Sequence, residues 1–244
     1  MSIERLSVIT IDFKRLDITA GDRILDIGCG SGRHIGEAAR HDDVFVLGAD
    51  LRMEDLTAAR QRMDFHEQVG ACRSRWHLLS ADLLNLPFPD ETFDLVICSE
   101  VLEHIEKDEA AAAELVRVLR TGKNLAVSVP RWFPERICWA LSKEYVSTPD
   151  GHIRIYRRKD ITRLFRARGL TPWASHFAHA LHTPLWWLKC LFGPGRDRLW
   201  PVRVYHQFLV WDMLNGPGPI RHVETAMNPL MGKSLVMYLR KGQP

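Results

Sequence analysis

A chain of 244 residues, 46% hydrophobic and 26% charged, is rich enough in apolar side chains to bury a core, and that excludes disordered, collagen-like and low-complexity classes. Lys and Arg number 33 against 30 Asp and Glu, and a formal charge of +3 argues against a nucleic-acid partner. Five widely spaced cysteines (Cys29, Cys72, Cys98, Cys138, Cys190), never paired as CxxC, fit a reducing compartment rather than a disulfide framework or a zinc ribbon. Residues 1–6 lack an apolar signal core and no run reaches about 18 uninterrupted apolar residues, so a cytoplasmic protein is expected.

The first half alternates short β-rich runs with helical stretches. Arg23 to Gly28 is an aliphatic run that stops at glycines, as a buried parallel strand does, and residues 31–40 follow as a helix. Val44 to Asp50 predicts a second strand, after which Met53, Leu56, Ala59 and Met63 recur at helical spacing. Arg75 to Ser80 and Asp94 to Ser99 are the third and fourth strands. A helix from Glu109 carries Ala111, Leu115, Val118 and Leu119, with Thr121-Gly122 as its end signal, and Leu125 to Pro130 is the fifth strand. This alternation means βαβ units and a doubly wound, mainly parallel α/β sheet.

The second half changes character. Residues 131–156 are rich in Trp, Arg and Pro without a clean period and read as a cover over the sheet edge. Asp160 to Arg168 is a short helix, Leu170 to Ala178 a sixth strand, and Lys233 to Arg240 the last strand. Between them lie a Trp-rich helical stretch (Leu185 to Phe192), a turn-rich patch at residues 193–195 and an apolar run from Phe208 to Leu214. No linker separates two domains, so residues 1–244 are read as one, with 20–130 as a ligand-binding core and 131–160 and 180–230 as cap segments.

Chemistry concentrates after the first three strands. Gly28, Gly30 and Gly32 let backbone approach a ligand closely where a helix N-terminus offers free N–H groups. Their GxGxG spacing differs from the GxGxxG of a dinucleotide site, and Asp26 just before them suits a ligand ammonium better than a pyrophosphate. Asp50 closes the second strand and is placed to accept from two ribose hydroxyls. Asp82 is placed to accept from an adenine amino group, with Leu83 against the ring. Each acid also serves as an ordinary helix or turn cap.

These stretches, with Phe93 to His104, resemble class I S-adenosylmethionine-dependent methyltransferases of the small-molecule type 11 group across roughly residues 20–130. The resemblance implies a Rossmann-like seven-stranded sheet ending in an antiparallel strand, and S-adenosylmethionine as cofactor. It implies that Gly28, Gly30 and Gly32 bracket the methionyl part, that Asp26 faces the ammonium, Asp50 and Leu51 the ribose and Asp82 and Leu83 the adenine, with Ser99 at the end of the fourth strand. The long connection before the last strand departs from the family hairpin and is read as a helical cap that carries substrate specificity.

Glu100, Glu103 and His104 share one face if a helix starts after Ser99. The ExxEH pattern is similar to the metal-binding helix of ubiquinone-pathway and small-RNA O-methyltransferases, which implies Mg²⁺ or Mn²⁺ on Glu100, Glu103 and His104; His152, in the stretch 151–156, is a candidate fourth ligand. Two other readings stay open: His104, with Glu100, as a metal-free catalytic pair, and a purely structural role. Arg131, Arg136, Arg154, Arg157 and Arg158 are expected near the pocket mouth, either on a substrate phosphate or carboxylate or as a solvated basic face. The Trp-rich stretch reads as cap packing, or as a peripheral membrane contact with Lys189 at headgroup level. Residues 129–136, 151–156, 178–182, 186–190 and 228–235 resemble actinobacterial methyltransferases associated with polymethylated polysaccharides, which implies a glycan or glycolipid hydroxyl as acceptor. An isoprenoid quinone or other lipophilic acceptor, or cofactor binding without catalysis, are the alternatives. The sequence carries no signal for oligomeric state.

Overall fold

The computed structural model describes residues 8–147, 151–193, 199–216 and 218–242. Their aliphatic runs pair into a seven-stranded sheet: β1 (Arg23–Ile27), β2 (Phe45–Asp50), β3 (Arg75–Ser80), β4 (Phe93–Ser99), β5 (Leu119–Pro130), β6 (Leu170–Ala178) and β7 (Ser234–Lys241), in the order β3-β2-β1-β4-β5-β7-β6. Strands β1 to β5 are parallel, and β7 runs antiparallel between β5 and β6. β4 is buried along its whole length and β1 along all but Arg23, which is why both read as unbroken apolar runs.

Helices cover both faces. α1 (Arg33–Ala38) and α2 (Met53–Gln68) bury Ile35, Leu56 and Met63 against Ile24, Val46 and Ile97 on one side. On the other, α3 (Asp108–Val118) and α6 (Arg158–Arg166) bury Ala111, Leu115, Ile161 and Phe165 against Leu25, Val96, Val127 and Leu239. Strand order reverses between β1 and β4, and at such a switch point the loops leaving the two strands part and open a crevice at their carboxyl ends.

Several expectations are corrected. The first helix is confined to residues 33–38 because Gly30 and Gly32 hold the preceding loop in left-handed conformations. Thr121-Gly122 does not end α3: the helix stops at Val118, and β5 starts at Leu119, which pairs with Phe93 before a bulge restores the register at Asn124. The stretch after β5 is helical, as α4 (Trp132–Leu141) and α5 (Lys143–Ser147), its apolar spacing masked by two prolines and two arginines across residues 130–136. Between β6 and β7 the described residues form three helices, α7 (His182–Phe192), α8 (Trp200–Asn215) and α9 (Gly218–Met231), the last unsignalled because none of its residues is fully buried. Of the turn-rich patch at 193–195, residues 194 and 195 lie outside the described residues, as do residues 1–6 of the expected leaderless start. Among the described residues no helix is long and apolar enough to cross a membrane.

Candidate active site

At the switch point lies a cleft of about 480 Å³. The loop after β1 contributes Gly28 and Gly30, β2 ends in it with Asp50, and the segment after β3 brings Asp82 and Leu83. From the far side come Glu100, Val101 and His104, which follow β4, together with Gly151 and Ile153. Leu51 stands at the rim, 61% exposed.

The glycine loop is built for contact. Gly28 has φ +69°, and a Cβ there would sit 2.3 Å from Val101 Cγ2, so only glycine lets the loop pass beneath Val101. Gly32, which does not line the cleft, also has positive φ, and a Cβ there would come within 3.0 Å of Ala59 Cβ. Asp50 Oδ2 accepts from Gly30 N at 2.9 Å and Oδ1 from Arg52 N at 3.0 Å. Each oxygen of the carboxylate thus keeps lone-pair capacity towards the cleft. Asp82 Oδ1 accepts from Leu84 N at 2.9 Å, an Asx turn that fixes the segment, while Leu83 packs into the core.

Asp26 does not line the cleft. It lies 1% exposed behind the glycine loop, and neither carboxylate oxygen has a hydrogen-bond partner. Burial pushes its pKa up to about 7, opposed by the Arg33 guanidinium and helped by the Asp50 charge. An orphaned buried carboxylate at this place fits a ligand that brings an ammonium group. Ser99 is likewise withdrawn: its Oγ lies 2.8 Å from Ser128 Oγ and accepts from Arg33 Nη2 at 3.2 Å.

The expected helix through Glu100, Glu103 and His104 does not form. Glu100 adopts φ +58°, and Leu102–His104 is a single 3-10 turn, so the three side chains do not share a face. Glu100 turns away and accepts from Ser128 Oγ at 2.9 Å. Glu103, His104 and His152 converge instead, one potential ligand atom of each lying within 4.8 Å of the others. The Ile153 N–H donates to Glu103 O at 3.0 Å and carries His152 alongside. The His104 and His152 rings meet edge to face at 5.0 Å. Glu103 is fully buried, neither oxygen has a hydrogen-bond partner although Oε1 lies 4.0 Å from His104 Nε2, and burial followed by the Glu100 charge drives its pKa well above the carboxylate range. A carboxylate and two imidazoles form a donor set that fits a divalent ion. It equally fits a general base.

Glu135 escaped the sequence reading as a site residue. Buried in α4, its Oε1 meets His152 Nδ1 at 2.5 Å and Trp139 Nε1 at 3.1 Å, while Tyr145 Oη donates to Oε2 at 3.3 Å. Its i, i+4 spacing to Trp139 was the only local signal. A second hollow of about 200 Å³ shares the Glu100 wall and is lined further by Thr10, Arg33, His179, His182, Trp186 and Lys233. Arg33 and Lys233 are the basic residues here, and neither was anticipated. The expected arginines are engaged elsewhere: Arg131 donates to Asn228 O and Pro229 O, Arg154 pairs with Asp108, Arg136 and Arg157 lie over Trp132, and Arg158 is on the exposed side of α6.

Residues 25–127 match the family model described as a methyltransferase domain. The chain is 33% identical over 116 residues to methyltransferase GfsG of Streptomyces halstedii, covering 48% of this chain and 40% of that protein. It is 36% identical over 112 residues to the 27-O-demethylrifamycin SV methyltransferase of Amycolatopsis mediterranei, covering 46% and 40%. The chain thus spans less than half the length of these curated relatives. Among solved structures, it resembles a putative methyltransferase of Bacillus halodurans with a TM-score of 0.62 at 19% identity, over 95% of this chain and 97% of that one. A geranyl diphosphate methyltransferase in complex with S-adenosylmethionine gives a TM-score of 0.59 at 17% identity, over 94% and 82%. With the sheet order, these likenesses establish the class I methyltransferase, Rossmann-like fold.

Proposed function

We propose that this chain transfers a methyl group from S-adenosylmethionine to a hydroxyl of a sugar or glycolipid. The observation that carries the reading is that the cleft lined by Gly28, Asp50 and Asp82 is closed on its far side by His104, which belongs to the Glu103–His104–His152 cluster. S-adenosylmethionine supplies a sulfonium-borne methyl group whose leaving thioether is neutral. Asp26 faces its ammonium through the glycine loop, Asp50 accepts from the ribose hydroxyls, and Asp82 accepts from the adenine amino group. The departing group needs no acid, so the difficult proton is that of the acceptor hydroxyl. His104 stands at the cleft wall to take it or weaken its bond. Where Glu103, His104 and His152 hold Mg²⁺ or Mn²⁺, the ion contributes Lewis acidity and orientation at the same point.

Release of S-adenosylhomocysteine in the presence of neutral sugars and glycolipids, and none with water alone, is the expected result. Tight cofactor binding with no turnover on any hydroxyl acceptor would overturn the O-methyltransferase reading and leave a cofactor-binding protein.

A lipophilic acceptor drawn from a membrane surface is favoured by one observation. Leu191 and Phe192 at the end of α7 and Trp200, Trp211 and Leu214 of α8 are exposed, whereas Leu185 and Cys190 are buried. Activity that requires liposomes or detergent supports this second reading, and full activity on a water-soluble sugar removes it.

A further inference from the structure

A second group of ligating side chains lies in the cap, apart from the Glu103 cluster. His179, in the turn after β6, His182, opening α7, and Glu224, in α9, each bring one potential ligand atom within 4.8 Å of the others. The two rings meet edge to face with centroids 5.7 Å apart. His179 Nε2 lies 3.1 Å from Thr10 Oγ1, which fixes the ring. His179 also holds φ +67°, a left-handed conformation that costs a non-glycine residue energy unless surrounding structure or function demands it.

Two orphaned polar atoms accompany this group. His182 Nδ1 is buried without a hydrogen-bond partner, and so is Oδ1 of Asp212, on α8. The charge of Asp212 acts on Glu224, and burial with that repulsion raises the Glu224 pKa despite Arg221 nearby. Burial holds both imidazoles in the neutral form, His182 at about 4, with Lys233 acting on both rings and Arg33 on His179. Neutral imidazole is the form that ligates a metal. The unpartnered His182 Nδ1 and Asp212 Oδ1 leave unused lone pairs beside the three converging side chains.

We propose that His179, His182 and Glu224 form a Zn²⁺ site that ties the turn after β6 to α9. Two imidazole nitrogens and one carboxylate oxygen are a donor set suited to zinc, with a fourth position left for water or for Asp212. His179 and His182 stand three residues apart and Glu224 comes from α9, so the ion would tie the start of α7 to α9 beside the hollow that His179 and His182 line. The inference stands independently of the methyl-transfer reading.

The test uses the full chain carrying His104→Ala and His152→Ala, which removes two of the three donors of the other cluster. Equilibrium dialysis against Zn²⁺ with elemental analysis is expected to give one bound equivalent. Co²⁺ in its place is expected to show the visible absorption of a nitrogen-ligated tetrahedral ion. Adding His182→Ala, or separately the near-isosteric Glu224→Gln, is expected to weaken binding by about 100-fold and to abolish the zinc-induced rise in melting temperature, with the circular dichroism spectrum unchanged. Less than stoichiometric zinc in the His104→Ala, His152→Ala chain, or undiminished binding in either further variant, would overturn the proposal.

Discussion

The imidazole of His152 and the buried carboxylate of Glu135 are joined Nδ1 to Oε1 at 2.5 Å, across the gap between α4 and the segment that follows α5. The contact engages Nδ1 of the ring, which also stands beside Glu103 and His104. A carboxylate that orients an imidazole in this way sets its tautomer and raises its basicity, whether the imidazole then holds a metal or a proton.

Glu135→Gln keeps the shape and removes the charge. If His152 works through its Nε2, turnover should fall by about 10- to 100-fold while S-adenosylhomocysteine affinity stays at the wild-type value. The pH–rate profile should also shift, a change that lost packing of α4 alone would not produce. An unaltered profile with normal turnover would mean that the Glu135–His152 pair is only structural.

Asp50→Ala should weaken cofactor binding by about 2 kcal/mol, roughly 30-fold, through loss of charge-assisted hydrogen bonds to the ribose. The same carboxylate accepts from Gly30 N and Arg52 N, so the loop rim loses its anchor as well. Asp50→Asn, which retains one acceptor oxygen, separates the two effects: calorimetry should place it between wild type and alanine. Wild-type affinity in a folded Asp50→Ala chain would reject the ribose assignment.

His104→Ala should lose about 100-fold or more in turnover while cofactor affinity is preserved. EDTA then divides the two versions of the mechanism. Activity abolished by EDTA and restored by Mg²⁺ or Mn²⁺ is expected only if Glu103, His104 and His152 hold an ion, whereas full activity in EDTA leaves His104 as a metal-free base. Near-normal turnover of the alanine variant would remove His104 from the reaction.

The centre of the sheet was legible in the sequence because β1, β2 and β4 are buried along almost their whole length and read as aliphatic runs, whereas β3 has no fully buried residue. The glycine loop, Asp26 and Asp50 near the ends of β1 and β2, and Asp82 after β3 were legible because their spacing along the βαβ units ties them to the carboxyl ends of the strands. What the spacing does not carry is local geometry: the left-handed turn at Glu100 has no glycine to announce it, and the helix the spacing predicts gives way to a single 3-10 turn. Glu135, Arg33 and Lys233 were missed for a different reason. Their roles depend on contacts between α4, α1, α7 and the start of β7, which no spacing along the chain encodes.

Asp26 yields a prediction in pH. Its pKa stands near 7 in the folded chain and near 3.8 in the ordinary range, so between these values the folded state holds a proton that the unfolded chain has released. The stabilising contribution of that proton is full below about pH 4 and is lost as pH rises through 7. Chemical denaturation of the ligand-free chain should therefore show a component that weakens across that window, and Asp26→Asn, which cannot ionise, should remove it. Cofactor binding should run the opposite way. A ligand ammonium against the carboxylate favours the ionised form and lowers the pKa, so binding near pH 6 should release up to one proton, and affinity should fall as pH drops below about 7. Calorimetry of S-adenosylhomocysteine in buffers of different ionisation enthalpy reads the proton directly. Release that persists unchanged in Asp26→Asn, or no release in the wild type, would dissociate Asp26 from the ligand ammonium.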